Sequence, residues 1–203
     1  VGVEKQQSML ADYVDHLLTL VDVSAIRPLK IVIDAGNGMG GYTAPAVFER
    51  LNAEVVELYF ELDGTFPNHE ANPIEPANLV DLQKAVKKHK ADIGLAFDGD
   101  ADRCFLVDEK GALVNPSALT ALIATRELAK NPGASIIYNL ISSRAVKEVV
   151  EENGGTAIRS RVGHSYIKKQ MAETNAVFGG EHSGHFYFRD FWRADSGMLA
   201  ALH

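Results

Sequence analysis

The sequence predicts an α/β fold: two tandem α/β/α domains, each built on a mixed, largely parallel sheet. Three observations lead there. Short apolar strands alternate with amphipathic helices along the chain, the order that βαβ crossovers require. A polar, glycine-containing hairpin interrupts the alternation near the middle, which places a boundary near Asp108 and gives domains over 1–108 and 109–203. A chain of 203 residues, 46% apolar and 23% charged, is also long enough to bury the cores of two small domains.

The elements follow in order. Met9, Leu10, Tyr13, Val14, Leu17 and Leu18 recur at i, i+3, i+4 spacing and predict an opening helix. Leu29–Asp34 reads as a strand, followed by a glycine-rich turn over Gly36–Gly41, a helix over Pro45–Leu51 and a strand over Glu54–Phe60. Asp63–Pro76, rich in Pro, Asn and Gly, is a long loop. A helix over Asn78–His89 and a buried strand over Asp92–Phe97 lead into the polar turn Asp98–Arg103. Cys104–Asp108 and Ala112–Val114 form the hairpin around Glu109-Lys110-Gly111. The second series has helices over Ser117–Ala129, Ser143–Asn153 and Ser165–Glu173, and strands over Ser135–Leu140, Thr156–Arg159 and Ala176–Gly179. A helix over Ser196–His203 closes the chain.

Charge and composition exclude several classes. The formal net charge is −7, without the basic stripe of a nucleic-acid binder. Lys84, Lys87, Lys88 and Lys90 cluster at helical spacing and read as a solvated face. No apolar run approaches the roughly 18 residues of a membrane span, so no membrane partner is expected. Val1–Leu20 lacks the basic-then-apolar plan of a secretory signal. The single cysteine, Cys104, rules out an internal disulfide and fits a reducing cytoplasm. A start at Val1 without methionine and an end inside a helix are read as marks of an internal fragment.

The most informative stretch is Leu95-Ala96-Phe97-Asp98-Gly99-Asp100-Ala101-Asp102-Arg103. An apolar strand here delivers three carboxylates at alternate positions. Magnesium takes oxygen ligands at about 2.0–2.1 Å and keeps sites open for phosphate. Gly99 and Ala101 leave the backbone free to curl Asp98, Asp100 and Asp102 around one ion, and without a cation the three charges would repel. A calcium loop is rejected, because its glycine position holds Arg103 and strands rather than helices flank it. The alternative is a haloacid-dehalogenase-like phosphohydrolase, with Asp98 as nucleophile and Asp100 as acid/base.

A second constellation is Gly179-Gly180-Glu181-His182-Ser183-Gly184-His185. Carboxylate, hydroxyl and imidazole groups in a glycine-rich turn suit the recognition of sugar hydroxyls. In Arg161-Val162-Gly163-His164-Ser165, a strand-to-helix turn offers His164 and free N–H groups to an anion or a proton. Gly36-x-Gly38-x-x-Gly41 matches the dinucleotide fingerprint, but Asp34 and Ala35 separate it from its strand and the match is set aside.

With these motifs the chain resembles the α-D-phosphohexomutase superfamily (phosphomannomutase/phosphoglucomutase), over its second and third domains. The resemblance implies that Asp98, Asp100 and Asp102 bind Mg2+ and that Arg103 holds phosphate or the reacting serine beside them. Glu181 and Ser183 would contact ring hydroxyls, and His185 would be a nearby polar or proton-transfer group. His182 stands where many relatives carry Met, Glu or Gln. His164 belongs to a third family element, and Arg144 lies where some relatives carry a substrate lysine. Phe66–Pro73 resembles a family loop, and Asp190 and Asp195 match a segment read as packing and loop support. The implied activity is an isomerase: intramolecular phosphotransfer between C1 and C6 of a mannose or glucose phosphate, through a phosphoserine enzyme. That serine belongs to the family's domain I and the phosphate clamp to its domain IV, so this chain alone is expected not to turn over.

Overall fold

The structure, a computed structural model, describes residues 2–203. Helix α1 (Leu10–Leu20) precedes β1 (Leu29–Asp34), α2 (Gly40–Phe48), β2 (Ala53–Leu58), α3 (Val80–His89) and β3 (Ile93–Phe97). The hairpin β4 (Cys104–Asp108) and β5 (Leu113–Val114) follows. The second half runs α4 (Pro116–Lys130), β6 (Ser135–Asn139), α5 (Arg144–Glu152), β7 (Thr156–Ser160), α6 (His164–Thr174), β8 (Phe178–Gly180), β9 (Phe186–Phe188), β10 (Ala194–Asp195) and α7 (Gly197–Leu202).

Each half holds a five-stranded sheet, ordered β2-β1-β3-β4-β5 and β7-β6-β8-β9-β10. In both, the first three strands of the half are parallel and the last two fold back antiparallel. The two sheets therefore share one topology, although no sequence repeat connects them. β5 pairs with β4, so the first sheet extends to Val114, past the expected boundary near Asp108. Strands β9 and β10 have no counterpart among the expected elements, being too short to show a period. Helix α2 begins at Gly40, ahead of the expected Pro45.

Local chemistry sets the helix ends. Asn115 caps α4 by accepting from Ser117 N, and Pro116 fills the first turn, where its missing N–H costs nothing. Lys90 takes a left-handed conformation after α3, whose last turn carries Lys87, Lys88 and His89 toward the negative helix end. These lysines are exposed, as a solvated face requires.

One apolar core runs through both halves. Val14, Leu17, Ile33, Leu95, Phe97 and Cys104 of the first half join Leu119, Ile123, Phe178, Met198 and Leu199 of the second. Each such buried side chain contributes about 1.5–3 kcal/mol, so the halves are held by shared burial rather than by a linker. The outer faces are covered separately, by α3 on the first sheet and α6 on the second. No helix among the described residues is long and apolar enough to cross a membrane.

Candidate active site between the two sheets

The acidic turn leaves the end of β3, where Phe97 is fully packed. Asp98 is also buried, and its two oxygens are tied to one residue. Oδ1 accepts from Arg103 N at 3.0 Å and Oδ2 from Arg103 Nε at 2.6 Å. Ala101 takes a φ of 62°, which closes the turn with a bond from its N–H to Asp98 O. Asp98, Asp100 and Asp102 each bring one carboxylate oxygen within 4.8 Å of the others. The Asp102 carboxyl is pushed up to about 7 by burial first, then by the charges of Asp98, Asp100 and Asp195. Three carboxylates crowded this closely are the donor set of a hard cation, so these residues fit magnesium.

The turn is propped from two sides. Met39 N donates to Gly99 O at 2.9 Å, and a Cβ at Gly38 would lie 2.6 Å from that oxygen. Gly38 of the dinucleotide-like motif thus serves the close approach of this backbone, while Gly41 packs against Phe60 O. From the long loop, Asn72 Oδ1 accepts from Arg103 Nη1 at 3.0 Å, which leaves Nη2 of the guanidinium free to face a ligand.

The second loop starts at Glu181, just after β8 and 1% exposed. Its Oε1 accepts from Asn139 Nδ2 at 3.3 Å and Gly163 N at 3.2 Å, and Oε2 accepts from Tyr187 Oη at 2.8 Å. A carboxylate offers about four lone-pair sites, so room for one further donor remains. Ser183 Oγ pairs with His185 Nδ1 at 2.8 Å. The His164 and His185 rings meet edge to face, with centroids 4.4 Å apart. Burial, then the neighbouring His164, lowers the pKa of His185.

The two loops touch. His185 Nε2 lies 3.4 Å from Asp102 Oδ1. Arg103 and His185 form an antiparallel bridge, and Cys104 N donates to Gly184 O at 3.2 Å. The residues at 98, 100, 102, 103, 164, 181, 183 and 185 thus form one connected group. His182, half-buried, has an Nδ1 without a hydrogen-bond partner. Arg144 stands apart: its side chain is 88% exposed and paired with Glu148 at 2.7 Å.

Sequence reasoning passed over three members of this group. Asn72 positions Arg103 across a long loop, and Tyr187 bonds Glu181 from a buried strand position that reads as core. Asp195, read as packing, lies 3.0 Å from His164 Nδ1 through Oδ2 and 3.0 Å from Lys168 Nζ through Oδ1. Its position just ahead of the α7 N-cap was the only local signal.

Fold and site together define a two-domain α/β/α unit that sets an acidic turn against a loop of carboxylate, hydroxyl and imidazole groups. The family descriptions "Phosphoglucomutase/phosphomannomutase, alpha/beta/alpha domain II" and "domain III" match residues 11–111 and 115–203, and the chain belongs to this family. It is 42% identical to a phosphomannomutase of Vibrio cholerae over 99% of this chain and 44% of that protein. A phosphoglucomutase of Neisseria meningitidis is also 42% identical, over 96% of this chain and 42% of its own length. The crystal structure of a phosphoglucomutase/phosphomannomutase family protein from Burkholderia thailandensis superposes with a TM-score of 0.92 at 40% identity, covering 98% of this chain and 43% of that one. The chain thus spans less than half the length of the relatives it matches.

Proposed function

We propose that this chain supplies the metal-binding and sugar-binding domains of a phosphohexomutase that moves phosphate between the C1 and C6 hydroxyls of a mannose or glucose phosphate, with Mg2+ as its metal. The observation that carries the reading is the Asp102–His185 contact at 3.4 Å, which sets the acidic turn against the hydroxyl-binding loop. Relatives named for mannose and for glucose both match, so the hexose is left between these two.

Asp98, Asp100 and Asp102 hold the metal, which when bound offsets charge on phosphoryl oxygens. Arg103 is held by Asp98 and Asn72 and presents Nη2 to a phosphate oxygen. Glu181, Ser183 and the neighbouring His182 orient sugar hydroxyls. His164 has Asp195 and Tyr187 beside Nδ1, which leaves Nε2 to take or return a hydroxyl proton. His185 lies between the two loops and relays a proton toward the acidic turn. The alternative in which Asp98 acts as a nucleophile finds no support in the family to which the chain belongs.

In this reading the reacting serine and the phosphate clamp come from domains I and IV of the parent polypeptide, which works in the cytoplasm with Cys104 buried and reduced. The test has two arms. The parent is assayed with mannose 1-phosphate and glucose 1-phosphate, and this chain is titrated with Mg2+ as wild type and as Asp100→Ala. Mutase activity in the parent, none in the chain, and Mg2+ affinity lost in the variant are the expected results. Hydrolysis of phosphate by the isolated chain would overturn the reading.

A further inference from the structure

The cluster formed by His164, His185 and Asp195 is chemically unlike the acidic turn beside it. We infer that these three residues form a second cation site, which takes a borderline-soft transition metal of the zinc class and, when filled, inhibits the enzyme by capturing both imidazoles. One donor atom from each residue lies within 4.8 Å of the other two. Two imidazole nitrogens and one carboxylate oxygen form a recurrent zinc donor set, whereas magnesium prefers oxygen alone.

The details at Asp195 favour an ion over an ordinary pair. Its side chain is 6% exposed, yet Oδ2 makes no hydrogen bond, although His164 Nδ1 is only 3.0 Å away. The distance is short but the direction is wrong for a shared proton. Two donors on one zinc ion, each bonded at about 2.0–2.1 Å, stand roughly 3.3 Å apart, so a small movement opens this pair onto a metal. Oδ1 is held by Lys168 at 3.0 Å, which fixes the carboxylate plane and leaves Oδ2 as the ligand. The His164 side chain is 46% exposed, which gives an ion a way in. Two buried or half-buried carboxylates, Glu181 and Asp102, add negative charge around His185.

The position gives the site its consequence. His164 and His185 are the groups assigned above to proton movement, and an ion on their nitrogens removes them from that work. Binding is independent of the mutase reading; the inhibition rests on it.

The experiment is a calorimetric titration of the untagged chain with Zn2+ in excess Mg2+. One zinc per chain is expected, retained in Asp100→Ala and weakened at least about tenfold in His164→Ala. Lys168→Ala, which releases the Asp195 carboxylate that Lys168 holds in place, is expected to weaken zinc binding as well while Mg2+ affinity stays unchanged, a split that damaged folding would not produce. Zinc affinity lost in Asp100→Ala but unmoved in His164→Ala would put the ion on the acidic turn and overturn the proposal. Absence of zinc binding in the wild type would overturn it outright. Mg2+ affinity, measured without zinc on the same variants, reports separately on the mutase reading.

Discussion

His185 Nε2 faces Asp102 Oδ1 at 3.4 Å, and this contact joins a loop of the second sheet to a turn of the first. Backbone bonds on either side, Cys104 N to Gly184 O and the Arg103–His185 bridge, hold it in place. With the core shared across the boundary, the acidic turn and the Glu181–His185 loop are joined by packing as well as by this contact.

Magnesium affinity should depend on pH. The Asp102 carboxyl, held at about 7 by burial and its acidic neighbours, keeps a proton over a range where ordinary aspartate is ionised. That proton competes with the ion. Affinity measured by calorimetry is expected to climb roughly tenfold per pH unit from below pH 6 and to level off above about 7. A profile flat from pH 5 to pH 8 would contradict it.

Gly184 takes a φ of +89°, and a Cβ there would run into the ring of Phe105, itself 3% exposed. Gly184→Ala therefore combines a strained backbone with overpacking. A stability loss of at least about 2 kcal/mol is expected in urea unfolding, with Mg2+ binding weakened as the second loop shifts off Asp102.

Asn72→Ala removes the acceptor that steadies Arg103 Nη1 while Asp98 keeps Nε. Mg2+ affinity of the chain should stay within about twofold. The parent enzyme should lose roughly tenfold or more in kcat, because a loosened guanidinium misplaces the phosphate. An unchanged kcat would show that Asp98 alone fixes the arginine.

His69 Nε2 sits 3.0 Å from the buried Asp34 carboxylate, and this bond, against the opposing effect of burial, raises its pKa from the ordinary 6.5 to about 9. The folded state holds that proton more tightly than the unfolded chain. The resulting stability is complete below about pH 6.5 and drains away as pH rises toward 9. The melting temperature of the Mg2+-saturated chain should fall across that window, and His69→Gln should flatten the fall while lowering the plateau.

Much of this was legible in the sequence. The alternation of strands and helices, the acidic turn after Phe97 and the Glu181–His185 loop are local patterns, written in periodicity and turn chemistry. What escaped was set at a distance or in very short segments. Strands β9 and β10 have three and two residues, too few for a period, and take their conformation from pairing with neighbours. Asn72 reaches Arg103 from 31 positions away, and Tyr187 looks like any apolar strand residue until its hydroxyl is found on Glu181.

The sequence by itself determined the fold class, the three carboxylates close enough to share an ion and the polar, glycine-rich Glu181–His185 loop. Each depends on residue types a few positions apart, which the chain's local geometry already constrains. Only the tertiary structure decided that these two loops meet, that Arg144 stays outside and that Asp195 reaches His164. Those outcomes depend on how two sheets share one core and on which strand pairs at each edge, and no short stretch of chain encodes either.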